Sequence, residues 1–170
     1  MRRRLQRCVP LLDFLRGAPP SFLYTSGRAG RCNPAGVECL YFSESEAVAA
    51  EEYRLAWRGT PAEHQPKLTF QARVNLRQVL DLAQTPTLEA LGLTSADLAV
   101  SWRGKPLTRL QAIGRAVSRQ KPIAAIRYPS FAARKKGVAG WNVAIFPEAI
   151  EAPDSVEILG TSGVPLAVLS

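Results

Sequence analysis

Four side chains of types that can do chemistry stand in order along the chain. Arg31 lies in the glycine-rich loop SGRAGRCNPAG, Tyr41 follows ten residues later, and Glu52 comes eleven residues after that. Ser130 closes the distant element IRYPS. A guanidinium is a planar fork of donors that matches phosphate oxygens, and Arg28 offers a second one in the same loop. A fixed carboxylate stabilises positive charge developing at a carbon. Glu51 precedes Glu52 directly, and neighbouring helix positions point about 100° apart, so the sequence leaves open which of the two faces the site. Other chemistries are excluded. The single histidine, His64 in TPAEHQPK, leaves no Ser-His-Asp system. No metal-ligand cluster appears, and neither G-x-x-x-x-G-K-[ST] nor G-x-G-x-x-G is present. Cys8, Cys32 and Cys39 are odd in number and lack C-x-x-C spacing, so neither a disulfide framework nor a zinc site is expected.

In order and spacing this set resembles the RES domain. That pattern has an arginine in G-R-W-N-x-x-G, a tyrosine ending the next strand, a glutamate one short helix later, and a serine in Y-P-S. Trp102, Gln111, Gly114 and the closing WNVAIFP fit as well, so the resemblance runs from about residue 23 to residue 147. It implies an ADP-ribosyltransferase-like fold and a toxin of a toxin–antitoxin pair, neutralised by an Xre-like helix-turn-helix antitoxin. It also implies an enzyme that takes NAD⁺ as substrate and needs no further cofactor. Such an enzyme breaks the nicotinamide–ribose bond by hydrolysis or phosphorolysis, or transfers the ADP-ribose to a protein. On this resemblance Glu52 stabilises the oxocarbenium-like centre, and Arg31 grips the pyrophosphate or the nicotinamide ribose, with Arg28 as a second candidate. Tyr41 stacks on nicotinamide or closes its pocket, and Ser130 orients Glu52 or bonds the ribose. Two positions depart from the pattern. Cys32 replaces the aromatic after the loop arginine. An arginine expected on the first strand is missing from FLYTS, which leaves Arg16, Arg28 or no residue to supply that charge.

These residues need a frame. Residues 2–16 read as a basic amphipathic helix with Leu5, Val9, Leu12 and Leu15 on one stripe, ended by residues 17–20. Residues 22–25 and 37–42 read as strands, with a turn at 33–36 between them. Ser43 or Ser45 can cap a helix through AVAAEEYRLAW. Residues 67–74 alternate Leu68, Phe70, Ala72 and Val74, a half-buried strand. Helical pieces are expected around NLRQVLDLA and TLEALG, and a longer helix over 107–119. Strands follow at 123–128 and 141–146, joined by the basic loop SFAARKKGVAG, then VEILG and a loose tail. Strands and helices without strict alternation make the fold α+β, a single compact domain with a small mixed sheet and surrounding helices. Its expected parts are a basic extension at 1–20, a catalytic domain at 21–150, and a strand and tail at 151–170.

Composition sets limits. The 170 residues are 46% hydrophobic, enough for a real core, and no apolar run is long enough to span a membrane. The basic start carries Asp13 and leads to no small-residue cleavage site, which favours a cytoplasmic protein over a secreted one. The net charge of +8 is uneven: residues 98–147 hold ten bases and no acid. Such a face suits an anionic partner. Without a recognisable nucleic-acid motif, direct nucleic-acid binding is the weaker reading. Oligomerisation stays open.

Overall fold

The computed structural model describes residues 1–16, 21–104, 107–160 and 162–170. Among them, eight strands form one sheet: β1 (Arg2–Pro10), β2 (Leu40–Ser43), β3 (Lys67–Asn75), β4 (Gln78–Asp81), β5 (Ile123–Pro129), β6 (Trp141–Ile145), β7 (Ser155–Leu159) and β8 (Pro165–Leu169). The helices are α1 (Leu11–Arg16), α2 (Glu46–Ala56), α3 (Thr85–Ala90), α4 (Ser95–Ala99), α5 (Arg109–Val117) and α6 (Phe131–Arg134). The strand order is β4-β5-β6-β2-β1-β3-β7-β8. Every neighbouring pair is antiparallel except β4 with β5. This is an α+β domain, and the expected parts 1–20, 21–150 and 151–170 all place strands in the same sheet. No helix among the described residues is long and apolar enough to cross a membrane.

The amino-terminal helix expected over 2–16 is corrected to a strand followed by a single short helix. Leu5 and Val9 satisfy a two-residue period as well as a helical one, and Pro10 ends the segment where a helix would have to continue. Pairing decides the matter, because β1 matches β3 residue for residue from Arg2–Asn75 to Pro10–Lys67. Leu5 and Val9 then sink into the main core, while Cys8 packs on the opposite face with Ala49 and Tyr53 of α2. Four other expectations change. Residues 78–81, read within a helical piece, form β4 beside β5. Residues 22–25 make a 3-10 turn (Ser21–Leu23) and a lone bridge from Tyr24 to Leu40 instead of a strand. The tail adds β8 to the sheet edge, and the basic loop after β5 begins with α6. The helix end placed at 17–20 lies outside the described residues.

One seam divides the sheet. β1 and β2 share a single register pair, Gln6 with Ser43, against nine between β1 and β3. Beyond that pair the two strands part, and the free edge of β2 meets Tyr24 and Thr25 instead. If β1 is an inner strand, Leu5→Ala should lower unfolding free energy by about 2–5 kcal/mol. Chemical denaturation measures this, and a near-zero change would mean that the segment lies outside the core.

Candidate active site

Glu52 sits in the middle of α2, which Ser45 caps by accepting from the Val48 amide. Ser43, the other expected cap, points elsewhere. α2 packs on β1 and α6, and this brings the carboxylate to two donors. Its Oε1 accepts from Ser130 Oγ at 2.7 Å and from Asn142 Nδ2 at 2.6 Å. Its Oε2 has no hydrogen-bond partner among the described residues. Glu51 points away and pairs with Arg54 at 2.6 Å, so the carboxylate that meets Ser130 is Glu52.

Ser130 is almost wholly buried and acts twice. It donates to Glu52, and it caps α6 by accepting from the Ala133 amide at 3.1 Å. Asn142 lies on β6 directly opposite Tyr128 of β5 on one side and Ser43 of β2 on the other. Ser43 Oγ donates to Asn142 Oδ1 at 2.8 Å. Tyr128 is a buried residue, and its hydroxyl makes no hydrogen bond among the described residues. Burial pushes that hydroxyl well above its usual range, and nearby Cys32 and Glu52 add to the rise while Arg31 opposes it.

The first strand of the sheet carries an arginine that faces inward, Arg7. It lies on β1 at the seam, where its Nη1 donates to the Tyr41 carbonyl at 3.2 Å. Its Nε is shut off from solvent and has no partner among the described residues. Burial pulls the guanidinium below its ordinary value, and the surrounding Tyr128, Tyr41 and Glu52 act against that loss. A signal existed in the sequence: Leu5-x-Arg7-x-Val9 sets an arginine inside a two-residue apolar period. The helix reading hid it. Of the alternatives, the side chain of Arg16 lies outside the described residues. Arg28 is exposed and folds back on the Thr25 carbonyl at 3.3 Å.

Arg31 is placed by packing from three sides. Its Nη1 donates to the carbonyls of Leu98 and Val100 at 2.9 and 3.2 Å, and its guanidinium lies over the Phe131 ring at 5.2 Å. Phe131 follows Ser130, so the stack puts Arg31 beside the Glu52 cluster. Beneath the loop, Tyr41 donates to Asn33 Oδ1 at 2.7 Å and accepts from the Cys32 amide at 2.8 Å. The Tyr41 hydroxyl therefore braces the loop, and burial holds it well above its usual range. Gln111 of α5 donates to the Gly30 and Asn33 carbonyls from the other side. Cys32 is fully buried, and burial pushes its thiol up. A shallow concavity of about 240 Å³ at the end of α2, beside Trp57 and Pro10, shares no residue with this cluster.

The family model of the RES domain matches residues 4–167. The chain belongs to the RES domain family. A search of curated proteins finds no match. Among solved structures, this RES domain is similar to a chain of the crystal structure of the M. tuberculosis MbcT–MbcA toxin–antitoxin complex. That match has a TM-score of 0.62 and 21% identity, and covers 85% of this chain and 74% of the other. At that identity the likeness speaks for the fold. In this RES domain Glu52 and Ser130 come into direct contact. Arg31 joins them through Phe131, Tyr41 supports from below, and Arg28 stays apart. Reading by spacing missed Arg7, Tyr128, Asn142 and Ser43. For Asn142 the signal was a lone polar residue inside the apolar strand WNVAIF.

The loop and α5 touch so closely that Gly114 has no room for a side chain: an added Cβ would stand 1.6 Å from the Cys32 carbonyl oxygen. Gly114→Ala should therefore force the arginine loop off α5 and cost about 1–3 kcal/mol of stability. Denaturant titration checks it, and an unchanged midpoint would contradict this packing.

Proposed function

We propose that this RES domain is the toxin of a toxin–antitoxin pair, and that it consumes NAD⁺ by breaking the nicotinamide–ribose bond. The observation that carries this reading is the Glu52 carboxylate. One oxygen is held by Ser130 and Asn142, the other has no partner among the described residues, and the Arg7 guanidinium, with its buried and unmatched Nε, lies near the carboxylate. A pair of this kind suits a ligand that combines phosphate anions with a carbon that turns cationic.

The reaction follows from those parts. The bond between ribose C1′ and the nicotinamide nitrogen breaks, and its electron pair leaves with neutral nicotinamide. Positive charge spreads over C1′ and the ring oxygen, and the Glu52 carboxylate stabilises it. Water or phosphate then adds to C1′ and gives up a proton. Arg7 and Arg31 hold the pyrophosphate or the ribose diol, with guanidinium forks matched to oxygen pairs. The hydroxyl of the buried Tyr128 side chain, without a partner among the described residues, contacts the ligand from β5. A protein side chain as acceptor would use the same site, so product analysis separates glycohydrolase or phosphorylase from ADP-ribosyltransferase. The antitoxin is expected to be an Xre-like helix-turn-helix protein, and the compartment the cytoplasm.

Glu52→Gln should lower the rate of NAD⁺ cleavage about 10²-fold or more, the scale of losing a preorganised electrostatic group. NAD⁺ affinity should change little, because the charge it answers appears only in the transition state. Glu51→Gln should stay near the unaltered rate, since its carboxylate is turned to Arg54. Nicotinamide release measured by chromatography decides this, and full activity in Glu52→Gln would overturn it.

The exposed Arg134, Lys135 and Lys136 lie within a few residues of Ser130 and make no ion pair among the described residues. Their charge should speed capture of an anionic substrate in a salt-sensitive way. Replacing all three by Ser should lower kcat/KM at low ionic strength and matter less at high salt. An equal effect at both salts would argue against steering.

A further inference from the structure

The hydrogen bonds behind Glu52 run in one direction only. An ionised carboxylate accepts and cannot donate, so the amide that meets Oε1 at 2.6 Å presents its nitrogen. That turns Asn142 Oδ1 toward Ser43, and a carbonyl oxygen accepts as well, so the Ser43 hydroxyl must be the donor at 2.8 Å. Ser43 and Asn142 are register partners on β2 and β6, and each is only 4% exposed. Neither can turn to water instead. Ser43 thus fixes the amide against rotation, and the amide fixes the carboxylate.

We propose that Asn142, oriented by Ser43, is a positioning residue for the bond-breaking step: with Ser130 it immobilises Oε1 so that Oε2 is presented to the carbon that becomes cationic. This rests on the reading of the site as NAD⁺-cleaving. It makes Asn142 more than a core polar residue, because a core role would be met by any satisfied side chain. Here the requirement is a donor of fixed direction. The titratable groups that act with Glu52 are Arg7 of β1 and Tyr128 of β5; Glu51 and Arg54 share its helix, and α6, which packs on α2, ends in Arg134. Glu44, beyond Ser43, is occupied by Arg3 and Arg127.

The test is steady-state NAD⁺ cleavage by the full chain across pH, with folding checked by circular dichroism and denaturation. Asn142→Ala should lower kcat about 10- to 10²-fold, the scale of a misplaced reacting group, with KM within about twofold. Asn142→Asp keeps the shape but sets a second carboxylate against Glu52. Two carboxylates sharing a site cannot both ionise cheaply, so the acidic limb of the kcat/KM profile should move up by about one pH unit or more. Ser43→Ala should fall between the unaltered chain and Asn142→Ala, and Ser43→Thr, which keeps the hydroxyl, should recover. Unaltered kcat in Asn142→Ala, an unmoved acidic limb in Asn142→Asp, or losses that track only the amount of folded protein would each overturn the proposal. If Asn142→Asp does not fold, the Ser43→Ala and Ser43→Thr pair decides. If the unaltered chain releases no nicotinamide, the NAD⁺ reading itself falls. The contact is then tested alone by carboxyl ¹³C titration of Glu52, which Asn142→Asp should move up and would leave unmoved if the two groups do not meet.

Discussion

A strand that leaves its neighbour halfway must satisfy the backbone groups it abandons, and that constraint organises this molecule. β1 and β2 lie side by side in the middle of the sheet yet share one register pair. Where they part, the Tyr41 carbonyl would lose its partner, and an unpaired buried carbonyl costs free energy comparable to a lost hydrogen bond. The Arg7 guanidinium takes the place of the missing strand. Putting a cation there means desolvating it, and the nearby Tyr128, Tyr41 and Glu52 offset part of that penalty. The same opening that would weaken an ordinary sheet leaves a polar gap with a charge inside it, flanked by the two halves β4-β5-β6-β2 and β1-β3-β7-β8.

The carboxylate and the loop arginine depend on this gap through their supports. α2 lies over β1 and meets α6, and its sixth and seventh residues, Glu51 and Glu52, face different partners as a result. The arginine loop is held between the Tyr41 hydroxyl and the Gln111 amide, with Gly30 and Gly114 allowing contacts that a Cβ would block. Both supports are neutral and fully used, so the loop has little freedom to collapse into the gap. An aromatic ring at position 32 would meet a fully enclosed site, and the small Cys32 is what this packing accommodates.

Much of this was legible from the residues. The two-residue period of β3, the capping serine and apolar face of α2, the α5 stripe, and the apolar runs of β5 and β6 each point to one element. In each case local preference and packing agree. The amino terminus was ambiguous because Leu5 and Val9 fit two periods at once, and only pairing with β3, far along the chain, selects the strand. β4 was misread because its four residues sit in a segment rich in helix formers, and the parallel ladder with β5 overrides that preference. In the site, Arg31, Tyr41, Glu52 and Ser130 could be chosen by order along the chain. Arg7, Asn142 and Ser43 could not, because their importance lies in which neighbour each one faces.

The three bonds behind the carboxylate join residues far apart in sequence: 78 positions separate Glu52 from Ser130, 90 separate it from Asn142, and 99 separate Ser43 from Asn142. A chain emerging from the ribosome presents α2 long before it presents β5 or β6. During that interval Glu52 has neither of its donors, and the strand that will seat Asn142 does not yet exist. The site is therefore complete only when β6 stands between β5 and β2. A fragment that carries all of α2 and the arginine loop but stops short of β5 holds Glu52 without either donor.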